Sequence, residues 1–261
     1  MGFKKKLAIG VGLLFLAAGI VVLPAIVLSP QTSQFRETFM RKCQAFPETI
    51  QRCEQVLNTF EEAYVGQDPC NFPEEAYRRL FMENPFTHSC DKTMFWSDTK
   101  DLVHGFCKER THFVSLENTL LGNIMDGLTW CGKKNSKDTF FYLCERCKNN
   151  TVSSFWVRAS SDFADYACGH AHVLLNGEIS KPFDPTSYFG AVEVKNLIFP
   201  RVNRLTVVLV IKNNNAACSH ESLKDLLNVL SPNIHYRCHS VTRSKILECI
   251  KTGTTTDACW T

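Results

Sequence analysis

The sequence predicts an α/β protein: a mainly helical lobe, a second lobe on a small, mostly parallel sheet, a cleft between them, and one transmembrane helix ahead of both. Three observations carry that prediction. Residues 7–28 form an uncharged apolar run. Apolar residues then recur at three- and four-residue spacing to about residue 167, and short β-rich runs follow from about His170.

The apolar run LAIGVGLLFLAAGIVVLPAIVL is 22 residues long, enough at about 1.5 Å per residue to cross a bilayer core. Lys4, Lys5 and Lys6 precede it, so the positive-inside bias predicts a cytosolic tail (1–6), an anchor (7–28) and an outward-facing remainder (30–261). The run passes through Pro24 to Ser29 without a small-residue exit, which favours an uncleaved anchor over a signal peptide. No second apolar run follows, and the polar C-terminus gives no GPI signal.

The formal charge of +3 belongs to that tail, since 26 basic and 26 acidic residues follow it. A neutral remainder gives no support to nucleic-acid binding, which draws on clustered cations. Thirteen cysteines point to an oxidising compartment with disulfides, and the odd number leaves one thiol over. Asn149-Asn150-Thr151 is the one glycosylation sequon. Together these predict a single-pass type II protein of the plasma membrane with an extracellular ectodomain.

Within the ectodomain, Pro47-Glu48 opens a helical stripe of Ile50, Cys53, Val56, Leu57, Phe60 and Tyr64. Pro73 with Glu74-Glu75 reads as a second helix start. Ser97-Asp98 is placed to cap a helix carrying Leu102, Val103 and Phe106, and Ser153 to Tyr166 sets Trp156, Ala159, Phe163 and Tyr166 on one stripe. HVLL, AVEVKNL, RLTVVLVI and NIHYRC read as strands, the last two joined by the helix ESLKDLLNVL, which Ser231-Pro232 stops. Strand–helix–strand order predicts parallel pairing. The helical lobe is expected over about 30–89 and 115–167, and the α/β lobe over about 90–114 and 168–261.

The chemistry narrows by exclusion. There is no glycine-rich phosphate loop, G-x-S-x-G elbow or H-E-x-x-H. Cys144 and Cys147 with Cys131 have a zinc-like spacing but no matching fourth ligand, so disulfides are the better reading and no metal is expected. His170 and His172 alternate on a strand and point the same way; a half-buried face with ordinary hydrogen bonds is preferred to a ligand pair. What remains is Trp96, Glu117, Asp126, Trp130, Trp156 and Glu193. Singly, each has a plain structural explanation: core tryptophans, a helix-start acid at Glu117 after Ser115, and a solvent-facing strand acid at Glu193 between two valines.

The segments SLENTLLGNIMDGLTWCG, SSFWVRASSDFADYACGHAHVLLNG and FGAVEVKNL resemble the ADP-ribosyl cyclase family. The likeness runs from about Cys43 to Cys259, and the anchored arrangement resembles the family's lymphocyte-surface member. The resemblance implies an ecto-NAD glycohydrolase and cyclase that cleaves the nicotinamide–ribose bond, with NAD and cyclic ADP-ribose as substrates and no cofactor. It implies Glu193 as the catalytic glutamate, Trp96 and Trp156 as pocket tryptophans, and Glu117 and Asp126 as acids at the nicotinamide end. Ser97, Ser160 and Phe189 match positions lining the phosphate and ribose part. Asp98 stands where the lymphocyte-type relative has an arginine, Tyr188 and Ala191 replace a smaller hydroxyl residue and a serine, and Gly127 replaces a second acid.

The resemblance also implies the pairs Cys43–Cys53, Cys70–Cys147, Cys90–Cys168, Cys131–Cys144, Cys218–Cys238 and Cys249–Cys259. Cys107 is left, read as a buried thiol on the Val103/Phe106 helix in preference to an exposed one that crosslinks a homodimer. The alternative function is a cell-surface receptor that kept the fold and lost turnover.

Overall fold

A computed structural model describes residues 30–46, 51–137, 139–140, 144, 147–212 and 218–261. The expected tail and anchor lie outside these residues, as do Pro47, Glu48 and Ile50; among the described residues no helix is long and apolar enough to cross a membrane. In chain order the helices α1 (Pro30–Gln44), α2 (Cys53–Tyr64) and α3 (Arg78–Glu83) lead to strand β1 (Met94–Ser97). Then come α4 (Lys100–Phe106), α5 (Leu120–Met125), the short strands β2 (Cys131–Gly132) and β3 (Thr139–Phe140), and α6 (Thr151–Tyr166). Strand β4 (Gly169–Asn176), α7 (Val194–Asn196), β5 (Val202–Ile211), α8 (Ser222–Val229), β6 (His235–Thr242) and α9 (Arg243–Thr252) complete the chain.

Four strands form a sheet in the order β1-β4-β5-β6, and every pairing is parallel. The sequence accounts for the order of burial. Strand β5 is a nearly unbroken apolar run and lies at the centre with both faces covered. Strand β6, with His, Arg, His and Ser among its eight residues, is only partly buried and forms an edge.

Alternation along the strands feeds two cores. Phe95, Val173, Leu175, Val207 and Leu209 join the aromatic side chains of α1, α2 and α6. Met94, Leu174, Val208 and Val210 point the other way, onto α4, α9 and Trp260. The first core is dominated by rings, with Phe60 packed edge-on to Trp130 and both Trp130 and Tyr77 edge-on to Phe155. Trp130 itself is wholly buried and its indole N–H donates to the Tyr77 hydroxyl at 2.8 Å, so for this tryptophan the core reading is correct.

All six disulfide pairs implied by the resemblance form. Cys107 is a free, buried thiol directly after α4, and burial raises its pKa. A thiol so placed is not available to crosslink a dimer.

Three local expectations are corrected. The strand expected at AVEVKNL is a π-helical turn, Phe189–Glu193, running into α7. Its V-E-V alternation mimics a strand, but Phe189 and Val194 are both buried on one side, which a helical path provides. Ser97-Asp98 does not cap α4. Ser97 ends β1, Asp98 takes a left-handed conformation with φ of 55°, and Thr99 stands at the helix start with its hydroxyl donating to Leu174 O at 3.0 Å. The strand register leaves Ser97 to the sheet. Finally, α6 begins at Thr151, because Asn150 and Ser153 form a reciprocal cap with hydrogen bonds of 2.9 and 3.0 Å.

Candidate active site

A cavity of about 560 Å³ opens beyond the carboxyl end of β1, the position where parallel sheets present loops rather than packed side chains. Its walls come from four separate stretches of chain. The end of β1 supplies Trp96, Ser97 and Asp98; residues around α5 supply Glu117, Asp126 and Gly127; α6 supplies Trp156 and Ser160; and the segment after β4 supplies Asp184, Thr186, Ser187, Tyr188 and Glu193.

Glu193 is 6% exposed. Its Oε1 accepts a 2.8 Å hydrogen bond from the Ser160 hydroxyl, and Ser160 is itself buried. Burial pushes the Glu193 carboxyl up to about 8, against the pull of the Ser160 hydrogen bond, and the charge of Glu117 adds to the rise. The turn that carries Glu193 is fixed by an Asp-Pro-Thr-Ser sequence. Asp184 Oδ1 accepts from the Thr186 amide at 2.8 Å and hydroxyl at 2.7 Å, the Ser187 hydroxyl donates to Asp184 O at 2.7 Å, and the Gly190 amide donates to Ser187 Oγ at 3.1 Å. A Cβ at Gly190 would stand 2.2 Å from Asp184 O, so only glycine permits the turn to close. On the far side, Asn196 donates to Ser161 Oγ at 3.2 Å and to Val192 O at 3.1 Å, tying the turn to α6.

Glu117 sits in a 3₁₀ turn, Leu116–Asn118, capped by Ser115, and is also buried. The Trp96 indole N–H donates to both its carboxylate oxygens, at 3.1 and 3.0 Å. Helix-start acid and pocket acid are therefore both true of Glu117. Asp126 reaches the cavity with its carboxylate paired to Lys100 Nζ at 2.6 Å, while its carbonyl accepts from Lys42. Trp156 is partly buried at the edge of the first core and faces the cavity, so it is not the wholly buried side chain that its stripe suggested.

Seven of the eight expected site residues thus meet at one cavity. Phe189 does not. Its ring is wholly buried, with centroids 5.9 Å from Phe95 and 6.1 Å from Phe183, and it supports the turn from beneath rather than lining the wall. Lys100, Asp184, Thr186 and Ser187 line the cavity without having been expected there. The Asp-Pro-Thr-Ser turn signature was a signal for the last three; Lys100 offered none, because its helix reads as an ordinary solvent face.

A buried carboxylate with a hydroxyl donor, a second carboxylate locked by an indole, and another indole on the same wall make a pocket that favours a flat, cationic group. The chain belongs to the ADP-ribosyl cyclase family, whose model matches residues 32–258. It is similar to ADP-ribosyl cyclase/cyclic ADP-ribose hydrolase 1 of Mus musculus, with 34% identity over 95% of this chain and 90% of the relative. The Rattus norvegicus protein of the same name is 35% identical over 85% of this chain and 78% of its own. Among solved structures, porcine CD38 complexed with a covalent intermediate, ribo-F-ribose-5'-phosphate, is 37% identical, covering 81% of this chain and 97% of that one with a TM-score of 0.73.

Proposed function

We infer that the protein is an NAD glycohydrolase and ADP-ribosyl cyclase, breaking the nicotinamide–ribose bond of NAD to release nicotinamide with ADP-ribose and cyclic ADP-ribose. The observation that carries the mechanism is the buried Glu193 carboxylate, held by Ser160 in the cavity that Trp96, Glu117 and Trp156 also line. Nicotinamide leaves as a neutral base from a pyridinium, so no acid is needed to protonate it. The demand is to stabilise the oxocarbenium centre left on the ribose.

Glu193 meets that demand by charge or by a transient ester bond to the anomeric carbon. The covalent intermediate named in the porcine relative's structure supports this role. Burial pushes the Glu193 carboxyl up to about 8, which favours its proton at neutral pH. The cationic ring of arriving NAD favours the ionised form, so substrate binding expels the proton and creates the nucleophile in place. Trp96 and Trp156 stack on the planar rings and exclude water, and the indole faces favour a cation. Glu117, its orientation fixed by Trp96, accepts from the carboxamide, and Asp126 adds a second acceptor at that end. Attack by water on the intermediate gives ADP-ribose, and attack by the adenine ring gives the cyclic product.

We place the catalytic domain outside the cell, from about residue 30, with residues 7–28 as anchor and residues 1–6 as tail. The apolar run, the three lysines and the six disulfides support that placement. Asn149 is exposed just before α6 and is accessible to a glycan. A receptor without turnover is the weaker reading, because both glutamates and both indoles line the same cavity. Replacement Glu193→Gln tests the proposal: nicotinamide release from NAD is expected to fall on the order of a thousandfold with the circular dichroism unchanged. Undiminished release would remove Glu193 from the central role.

A further inference from the structure

On the opposite face of strand β4 from the main core, His170, His172 and Asp257 offer two ring nitrogens and a carboxylate oxygen that all lie within 4.8 Å of one another. We propose that these three residues form a zinc-binding site that fastens the C-terminal segment to the sheet.

The two histidines alternate on β4 and so project from the same face, with ring centroids 3.9 Å apart. His172 is 1% exposed, walled by the rings of Phe113 and Trp260 at 4.8 and 5.8 Å. Neither of its nitrogens has a hydrogen bond of acceptable geometry. Its buried Nδ1 lacks the partner that burial normally demands, while Nε2 has a carboxylate beside it. The nearest acidic group is Asp257 Oδ1, 3.1 Å from Nε2. The half-buried His170 is oriented by a 2.8 Å contact between its Nε2 and the Thr206 hydroxyl, the kind of second partner that sets the tautomer of a ligating histidine.

Two nitrogens and one carboxylate suit zinc better than the hard cations, which prefer oxygen. Bonds of about 2.0–2.1 Å place tetrahedral ligands roughly 3.3 Å apart, so separations within 4.8 Å must close by at most about 1.5 Å. Asp257 is able to make that movement, because its side chain is 52% exposed on a 3₁₀ turn, Asp257–Cys259. Water takes the fourth position. Charges around the group are mixed: Arg204 opposes a cation, while Asp91, whose Oδ1 accepts from the His170 amide at 2.7 Å, favours it along with Asp257. The cation would link β4 to the turn Asp257–Cys259 just before the C-terminus, packed against the face of the sheet that carries Met94. Neither histidine nor Asp257 lines the catalytic cavity, so this site is expected to act on stability rather than on bond breaking.

The test uses the full-length protein in detergent, stripped with chelator and titrated with Zn²⁺ alone, with Co²⁺ as a spectroscopic substitute. One equivalent of zinc per chain is expected, together with visible absorption of the cobalt form and a higher thermal midpoint when zinc is bound. His170→Gln and Asp257→Asn, both at partly exposed positions and checked for folding by circular dichroism, should each weaken zinc at least about tenfold and remove the cobalt bands. Absence of binding to the unsubstituted protein would mean that a proton on His172 serves Asp257 instead, and would overturn the proposal. Binding at undiminished affinity in either variant would overturn it too, by assigning the zinc to surface histidines.

Discussion

The strongest test of the site's electrostatics is Ser160→Ala, which removes the hydroxyl that, among the described residues, donates to buried Glu193. A hydrogen bond to a charged group contributes about 1.5–3 kcal/mol, and about 1.4 kcal/mol corresponds to one pH unit. The carboxyl, already held at about 8, should therefore move to between about 9 and 10. The sign is fixed: the lost bond stabilised the ionised form, so its loss favours the proton. Free enzyme in the reactive state should fall from about one part in ten at pH 7 to about one in a hundred or fewer. The assay is nicotinamide release at low NAD across pH 5.5 to 10, which reads kcat/KM and hence the free enzyme's ionisation. The ascending limb should move one to two pH units to the alkaline side, with a ten- to hundredfold loss at pH 7 that largely recovers near pH 10. A uniform loss with an unmoved limb would refute the reasoning and make Ser160 a positioning group for the sugar instead.

Glu193→Gln should also change stability with pH. The native carboxyl is raised above its unfolded value, so its contribution is fully present below about pH 4.5 and is lost as pH rises through about 8. The variant should match the parent's thermal midpoint near pH 4 and exceed it increasingly toward pH 8; parallel curves would contradict the burial argument. Asp98→Asn keeps a residue type that tolerates the left-handed conformation at φ of 55° and removes a negative charge from the cavity wall. The KM for NAD should fall a few-fold at low ionic strength, by about 0.5–1 kcal/mol, and the gain should shrink with added salt. Gly190→Ala forces a Cβ onto Asp184 O, and should reduce nicotinamide release at least about tenfold while lowering the thermal midpoint by several degrees. Trp96→Phe keeps a ring but deletes the donor to Glu117; kcat/KM should fall about tenfold, more than stability would explain.

Most of the fold was legible because its signals are local. The apolar stretch at β5, the stripe Val56, Leu57, Phe60, Tyr64 and the stop at Ser231-Pro232 each answer to a period or a turn that a few residues define. Where the reading failed, a longer-range contact had decided. Glu193 between two valines has a strand's alternation, and only the closure of Gly190 on Asp184 makes that stretch a helical turn. Ser97 is a good cap in isolation, but pairing of β1 with β4 takes it into the sheet. Phe189 stands beside site residues in sequence and beneath the site in space, since the π turn directs its ring to the core and Glu193 to the cavity.

The sequence by itself determined the family, through long ordered segments, and with it the pairing of twelve cysteines and the identity of the central side chains. It determined three of the four strands of the sheet and the helices at Cys53–Tyr64 and Ser222–Val229, because periodicity is a property of neighbours along the chain, while β1 and the π turn escaped it. Tertiary structure alone decided the state of those side chains. The pKa of Glu193 depends on its burial, on the Ser160 hydroxyl of α6 and on the charge of Glu117, groups separated by tens of residues. Desolvation and Coulomb interactions depend on distance through space, and sequence spacing does not encode that distance. The same reason holds for His170, His172 and Asp257: two read as an ordinary strand pair and the third as part of a polar tail, until the fold brought them within 4.8 Å.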